Sequence, residues 1–198
     1  TGTEIHVAIA GRYAGRIGVG DSLKPSGRTA LDGLRALGVR RVAMLTGDSA
    51  ASAERVAAEA GIAEVHHGLL PADKLERLEA ILGQEQGRGS VVFVGDGVND
   101  APVLARADAG IAMGGGSDAA VESADVVLIG GDPSRVAEAI DRARRTRRIV
   151  AQNIAFALVV KLAFLGLGAI GLAAMWEAVI ADVGVALLAV LNSTRALK

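Results

Sequence analysis

The chain has 198 residues, a net charge of −1, no cysteine, and a hydrophobic share of 51% with only 3% aromatics. This composition excludes a global field for nucleic acid or another polyanion, and it excludes disulfides and thiolate metal ligands within these residues. The apolar excess is uneven: residues 1–148 carry mixed charge, whereas from Ile149 to Leu197 the only ionisable side chains are Lys161, Glu177, Asp182 and Arg195.

Thr1-Gly2-Thr3-Glu4 is polar, lacks Met and reads as an excision point, with no secretory signal. Ile5, Val7 and Ile9, a turn at Gly11-Arg12, then Ile17 and Val19 predict a hairpin that completes a sheet lying upstream. Asp21 to Pro25 reads as a hinge. Beyond it, Ala30, Leu31, Leu34 and Leu37 suit a short helix stopping near Gly38, and Val39 to Leu45 suits a buried strand. Ala50 to Ala60 is helical with Gly61 as its cap, and a Pro-started helix covers 71–82. Ser90 to Val94 predicts a strand, Ala101 to Arg106 a helix and Gly110 to Met113 a strand. Val121 to Ile129 ends in another strand, and 133–148 forms a polar helix. Strands alternating with short helices imply a parallel sheet covered on both faces, with its chemistry at the carboxyl ends of the strands. From Ile149 to Trp176 the single charge is Lys161, over a length sufficient to span a bilayer. A second apolar run, Ala178 to Leu191, carries Asp182. Trp176 lies between the two as an interfacial aromatic, and basic residues flank both outer ends. That pattern predicts a membrane hairpin with both termini cytoplasmic.

The most informative stretch is Val94-Gly95-Asp96-Gly97-Val98-Asn99-Asp100-Ala101-Pro102. A strand delivers Asp96 to its carboxyl end, and Asp100 follows at a helix start. Two carboxylates on one loop suit Mg²⁺, which binds through one or two carboxylates plus phosphate and water. The bland reading is a turn whose Asp and Asn cap the helix. Leu45-Thr46-Gly47-Asp48 also ends a strand, and its hydroxyl and glycine allow close approach to a phosphate; by itself it reads equally well as a helix start. Lys74 could neutralise a phosphoryl group, although a lysine in that position is more often simply solvated. His66 and His67 are adjacent, cannot share a strand face, and read as solvated.

In this order Thr46, Lys74 and Asp96 with Asp100 resemble the later motifs of haloacid-dehalogenase-type phosphotransferases. The detailed wording resembles P-type ATPases: Met44 to Asp48, Pro71 with Lys74, Val94 to Pro102, Gly110-Ile111-Ala112-Met113-Gly114, Ser117-Asp118 and Glu122 to Asp125. The resemblance implies a haloacid-dehalogenase-like Rossmannoid parallel sheet followed by a two-helix transmembrane hairpin. It also implies ATP as donor, Mg²⁺ at Asp96 and Asp100, and catalytic roles for Thr46, Gly47, Asp48, Lys74 and Asn99. The phosphorylated aspartate of that family lies in an Asp-Lys-Thr-Gly-Thr motif, which this sequence lacks. The expected organisation is a nucleotide-binding hairpin at 1–20, a phosphorylation domain at 21–134, a basic linker helix at 135–148, and membrane helices at 149–174 and 177–195. Asp21 is the alternative nucleophile, for a membrane-tethered phosphatase; an inert remnant is a third reading.

Lys161 lies 13 residues after Arg148, and Asp182 lies 13 before Arg195, so an antiparallel hairpin brings both to one depth. Charges inside a bilayer are costly and mark pathways. These residues, with Ala181 to Gly184 and Leu188 to Arg195, resemble the last two helices of zinc/cadmium/lead-exporting P-type ATPases. The resemblance implies Asp182 as ligand of the transported Zn²⁺, Cd²⁺ or Pb²⁺ and Lys161 as its counter-charge. The implied partners are the lipid bilayer and the rest of a longer polypeptide, with no nucleic acid. The implied location is the cell membrane, multi-pass, with the soluble domain and C-terminus cytoplasmic.

Overall fold

The computed structural model describes residues 3–19, 23–87, 89–172 and 174–197. The chain forms two compact units, Thr1–Ala137 and Glu138–Lys198.

The first unit opens with the antiparallel hairpin β1 (Thr3–Ile9) and β2 (Arg12–Val19). It turns through Ala10 and Gly11, with φ of 50° and 75°, one residue earlier than the sequence suggests. Two positive φ angles in a two-residue loop match the right-handed twist of the flanking strands. Ile5, Ile9 and Ile17 remain exposed, so the hairpin leaves apolar surface uncovered. Asp21, read as a hinge residue or alternative nucleophile, lies outside the described residues. Pro25 opens α1 (Pro25–Ala36), where its missing N–H costs nothing.

β3 (Ala43–Leu45) is shorter than the predicted 39–45 strand, because only these residues find a parallel partner, in β4 (Glu64–His66). Three residues are too few to give β4 a readable period of two. Between them, α2 (Ala50–Ala60) ends on left-handed Gly61, as expected. Next come α3 (Pro71–Glu85), β5 (Val92–Gly95), a single 3-10 turn at Val98–Asp100, α4 (Ala101–Arg106) and β6 (Ala109–Met113). An unpredicted helix, α5 (Asp118–Ser123), precedes β7 (Val126–Leu128); Ser117 Oγ caps it by accepting from Ala120 N at 3.2 Å.

The parallel strands fall into two groups, β3–β4 and β5–β6–β7. Among the described residues, β3 and β5 each have a strand on one edge only. Val92 and Val94 of β5 remain 37% and 40% exposed, although a central parallel strand is normally covered on both faces. The core is small: Ala53, Ala57 and Ala60 of α2, Leu78 of α3, Val103 and Leu104 of α4, and Ile111 and Ala112 of β6.

The expected linker and membrane helices, divided at residue 149, are joined in one continuous helix that runs into the second unit. α6 runs unbroken from Ser134 to Ala169, since no Pro or Gly interrupts the Arg148-Ile149 junction. It stops five residues before the expected 174, and α7 spans Met175–Ser193. Both helices are long and apolar enough to cross a bilayer. Only 6% of either apolar window is buried, which argues against core helices of a soluble protein.

Candidate functional site

The carboxyl ends of β3 and β5 and the start of α3 build the site. Asp73 Oδ2 accepts from Leu70 N at 2.9 Å, which fixes the first turn of α3, and Lys74 follows on that turn. Lys74 Nζ donates to Asp100 Oδ1 at 2.8 Å. This ion pair ties the helix after β4 to the loop after β5, and so links the two strand groups. Arg106 Nε to Glu79 Oε1 at 3.1 Å repeats the link between α4 and α3.

Asp100 is the buried charged residue among the described side chains, at 8% exposure. Such a carboxylate requires a partner, and Lys74 supplies it. The capping reading fails here, because α4 receives no side-chain cap from Asp100. Gly95 is closely packed: a Cβ would lie 3.0 Å from both Asp100 Cβ and the Phe93 ring. Asp96 is exposed at the strand end. Its carbonyl accepts from Ser117 N at 3.0 Å, and a Cβ on Gly116 would fall 2.6 Å from that carbonyl oxygen. The glycine-rich loop is therefore pressed against the Asp96 backbone.

Thr46 is already engaged. Its hydroxyl donates to Asp48 Oδ2 at 2.8 Å and accepts from Asp48 N at 3.1 Å, a closed local turn. Leu69 N donates to the Thr46 carbonyl at 3.0 Å, and a Cβ on Gly47 would lie 3.3 Å from Leu69 O, so the β3 end abuts the entry to α3. Asn99 is exposed. The structure thus couples Lys74 with Asp100 and Thr46 with Asp48. Among the described residues no group of three or more His, Asp or Glu side chains could by itself hold a metal. The donors present, a buried and an exposed carboxylate on one loop, suit a hard cation that takes its remaining ligands from phosphate and water.

A second network was not legible in the sequence. Arg41 grips Glu64 with two bonds of 2.7 and 2.8 Å and reaches Gln84 Oε1 at 2.9 Å and Glu85 Oε1 at 3.5 Å. The Arg41 hydrogen bonds hold the Glu64 carboxyl down at about 2, with His66 adding to the effect, and Glu64 raises the Arg41 guanidinium above its usual value. His66 Nε2 lies 3.0 Å from Glu64 Oε1, so His66 is paired, contrary to the solvated reading; His67 is exposed as expected. This network ties β4 to the far end of α3, the helix that carries Lys74.

In the second unit, Lys161 Nζ meets Asp182 Oδ1 at 3.0 Å across α6 and α7. A further set of bonds joins the same helices. Asn153 Nδ2 donates to Ala189 O at 3.1 Å and Ser193 Oγ at 2.9 Å, and Asn192 Nδ2 donates to Asn153 Oδ1 at 2.8 Å. Asn153 escaped sequence reasoning, although an amide within an apolar helix is itself a signal of an interhelical partner.

A family model described as haloacid dehalogenase-like hydrolase matches residues 2–108, more than half of the chain. Over all 198 residues the chain is 55% identical to the cadmium, zinc and cobalt-transporting ATPase of Bacillus subtilis (strain 168) and spans 28% of that protein. It is 54% identical over 198 residues to the zinc-transporting ATPase of Synechocystis sp. (strain ATCC 27184 / PCC 6803 / Kazusa), spanning 27% of it. Among solved structures, a zinc-transporting PIB-type ATPase in the E2.Pi state superposes with a TM-score of 0.85 at 37% identity, over 98% of this chain and 31% of that one. The chain therefore spans under a third of the length of the relatives it matches.

Proposed function

The chain belongs to the haloacid dehalogenase-like hydrolase family, and from that premise we propose that it is the later part of an ATP-driven exporter of divalent heavy-metal cations working through an aspartyl-phosphate. One observation carries this reading: a phosphate-type constellation, Lys74 with Asp100, shares a chain with an ion pair, Lys161 with Asp182, between two apolar helices. A phosphatase has use for the first alone; a pump needs both. The relatives named as transporters of zinc, cadmium and cobalt support the cargo class, to which we add Pb²⁺.

The aspartate that takes the phosphoryl group is not in this sequence. We place it on a strand from elsewhere in the complete protein, seated between β3 and β5, whose edges left bare among the described residues, with exposed Val92 and Val94, support that position. Lys74 balances Asp100 while the site is empty and offers its positive charge to phosphoryl oxygens when they arrive. Thr46 contributes its hydroxyl by giving up Asp48, which then needs another donor. Gly47 lets backbone N–H groups approach, and Asn99 lines the loop. Asp96 and Asp100 would hold Mg²⁺, which when bound neutralises phosphate charge. In the membrane, Lys161 balances the charge of Asp182 until a cation replaces it, so the carboxylate is never left alone. The soluble unit and both outer helix ends face the cytoplasm. This chain by itself forms no phosphoenzyme.

Asp96→Ala in the complete protein tests the assignment. We expect phosphoenzyme formed from ATP to disappear while the protein still inserts and folds; an undiminished phosphoenzyme level sinks the Asp96 role.

A further inference from the structure

Five arginines lie between residues 142 and 148, and orientation of a membrane hairpin requires only that they be there, on any face. The structure distinguishes among them. Arg145 and Arg148 of α6 join Arg195, just beyond α7, around a recess of about 200 Å³ completed by Asp141, Gln152 and Ile149. The recess has three guanidinium groups against one carboxylate. Among the described residues neither Arg145 nor Arg148 has an ion-pair partner, while Arg195 Nη1 donates to Asn192 Oδ1 at 3.0 Å. Ile149, at 4% exposure, forms an apolar floor next to these charges. The Asn153–Asn192 bonds hold the two helices together one turn deeper, so the recess has fixed walls.

We infer that this recess is a binding site for the headgroup of an anionic phospholipid in the cytoplasmic leaflet. Guanidinium groups recognise phosphate oxygens with paired, charge-assisted bonds, and basic pockets between membrane helices on this side capture such headgroups. The position favours a lipid over free phosphate, since the recess opens where the apolar run from Ile149 begins and acyl chains can follow α6 into the bilayer. The site rests on the membrane reading of α6 and α7, and it requires nothing of the cargo or the phosphoryl chemistry. Its use would be to pin the cytoplasmic end of the hairpin that carries Lys161 and Asp182.

The test compares two double variants of equal charge in the complete protein. Arg145→Gln with Arg148→Gln removes two walls of the recess, whereas Arg142→Gln with Arg147→Gln removes the same charge outside it. Each protein is purified from vesicles of phosphatidylcholine containing phosphatidylglycerol, and retained lipid is measured by native mass spectrometry. We expect retained phosphatidylglycerol to fall about tenfold or more in the first variant and to stay near wild type in the second. Equal loss in both would reduce the effect to diffuse surface charge and overturn the site, as would equal retention in both. Displacement of the lipid by inorganic phosphate, or equal retention of phosphatidylcholine, would also overturn it. Alkaline carbonate washing separates the premises: a chain extracted from vesicles defeats the membrane reading and the lipid site together, whereas an embedded chain indifferent to phosphatidylglycerol defeats the lipid site alone.

Discussion

At the scale of single residues, stability depends on how charges are compensated. Asp100 is nearly buried and Lys74 is its partner at 2.8 Å. Lys74→Met strands the carboxylate and should lower stability by about 2 kcal/mol, between the costs for exposed and buried pairs. Adding Asp100→Asn should recover part of that loss, and thermal unfolding of the two single variants and the double variant reads the coupling directly. Glu64 makes a pH-dependent contribution. Its folded carboxyl sits at about 2, below the ordinary 4.5, so the native state holds its proton less tightly than the unfolded chain. Its stabilisation is therefore complete above pH 4.5 and disappears as pH falls toward 2. Glu64→Gln should cost about 1 kcal/mol at pH 7, a modest figure because solvent screens a partly exposed pair. The gap between the two proteins should close on acidification, as chemical denaturation at several pH values would show. The loop that carries Asp96 and Asp100 stands out in the sequence because nine consecutive residues share its pattern. The Lys74–Asp100 contact and the Arg41–Glu64 grip do not, since each joins residues more than twenty positions apart.

At the scale of elements, backbone proximity decides what a position tolerates. A Cβ on Gly110 would lie 2.5 Å from the Leu104 carbonyl oxygen, where α4 packs on β6. Gly110→Ala should therefore cost about 1–3 kcal/mol through forced displacement of backbone. Gly83, inside α3 with open space around it, provides the contrast. Gly83→Ala should stabilise by about 0.5–1 kcal/mol, since alanine restricts the unfolded chain and favours the helix. Differential scanning calorimetry of both variants checks the opposite signs. The sequence reveals α2 and its Gly61 stop because periodicity and capping agree there. β4 and α5 escape it because three and six residues hold too little periodicity to register. The continuity of α6 escapes it for another reason: a change from polar to apolar residues marks a change of solvent, and the backbone need not break where the solvent changes.

At the scale of the molecule, the Lys74–Asp100 pair and the Lys161–Asp182 pair occupy separate compact units of one chain. The fold class and the membrane hairpin are legible in the sequence because motifs and apolar length are local properties. That β3 and β5 each have, among the described residues, a strand on one edge alone becomes visible only in the structure. The most direct test of the pump reading is ATP hydrolysis by the complete protein with Zn²⁺, Cd²⁺, Pb²⁺, Co²⁺ or Cu⁺, alongside Asp182→Ala. The expected result is stimulation by Zn²⁺, Cd²⁺ or Pb²⁺ and its loss in the variant. Stimulation by Cu⁺ alone, or divalent stimulation unchanged in Asp182→Ala, would contradict it.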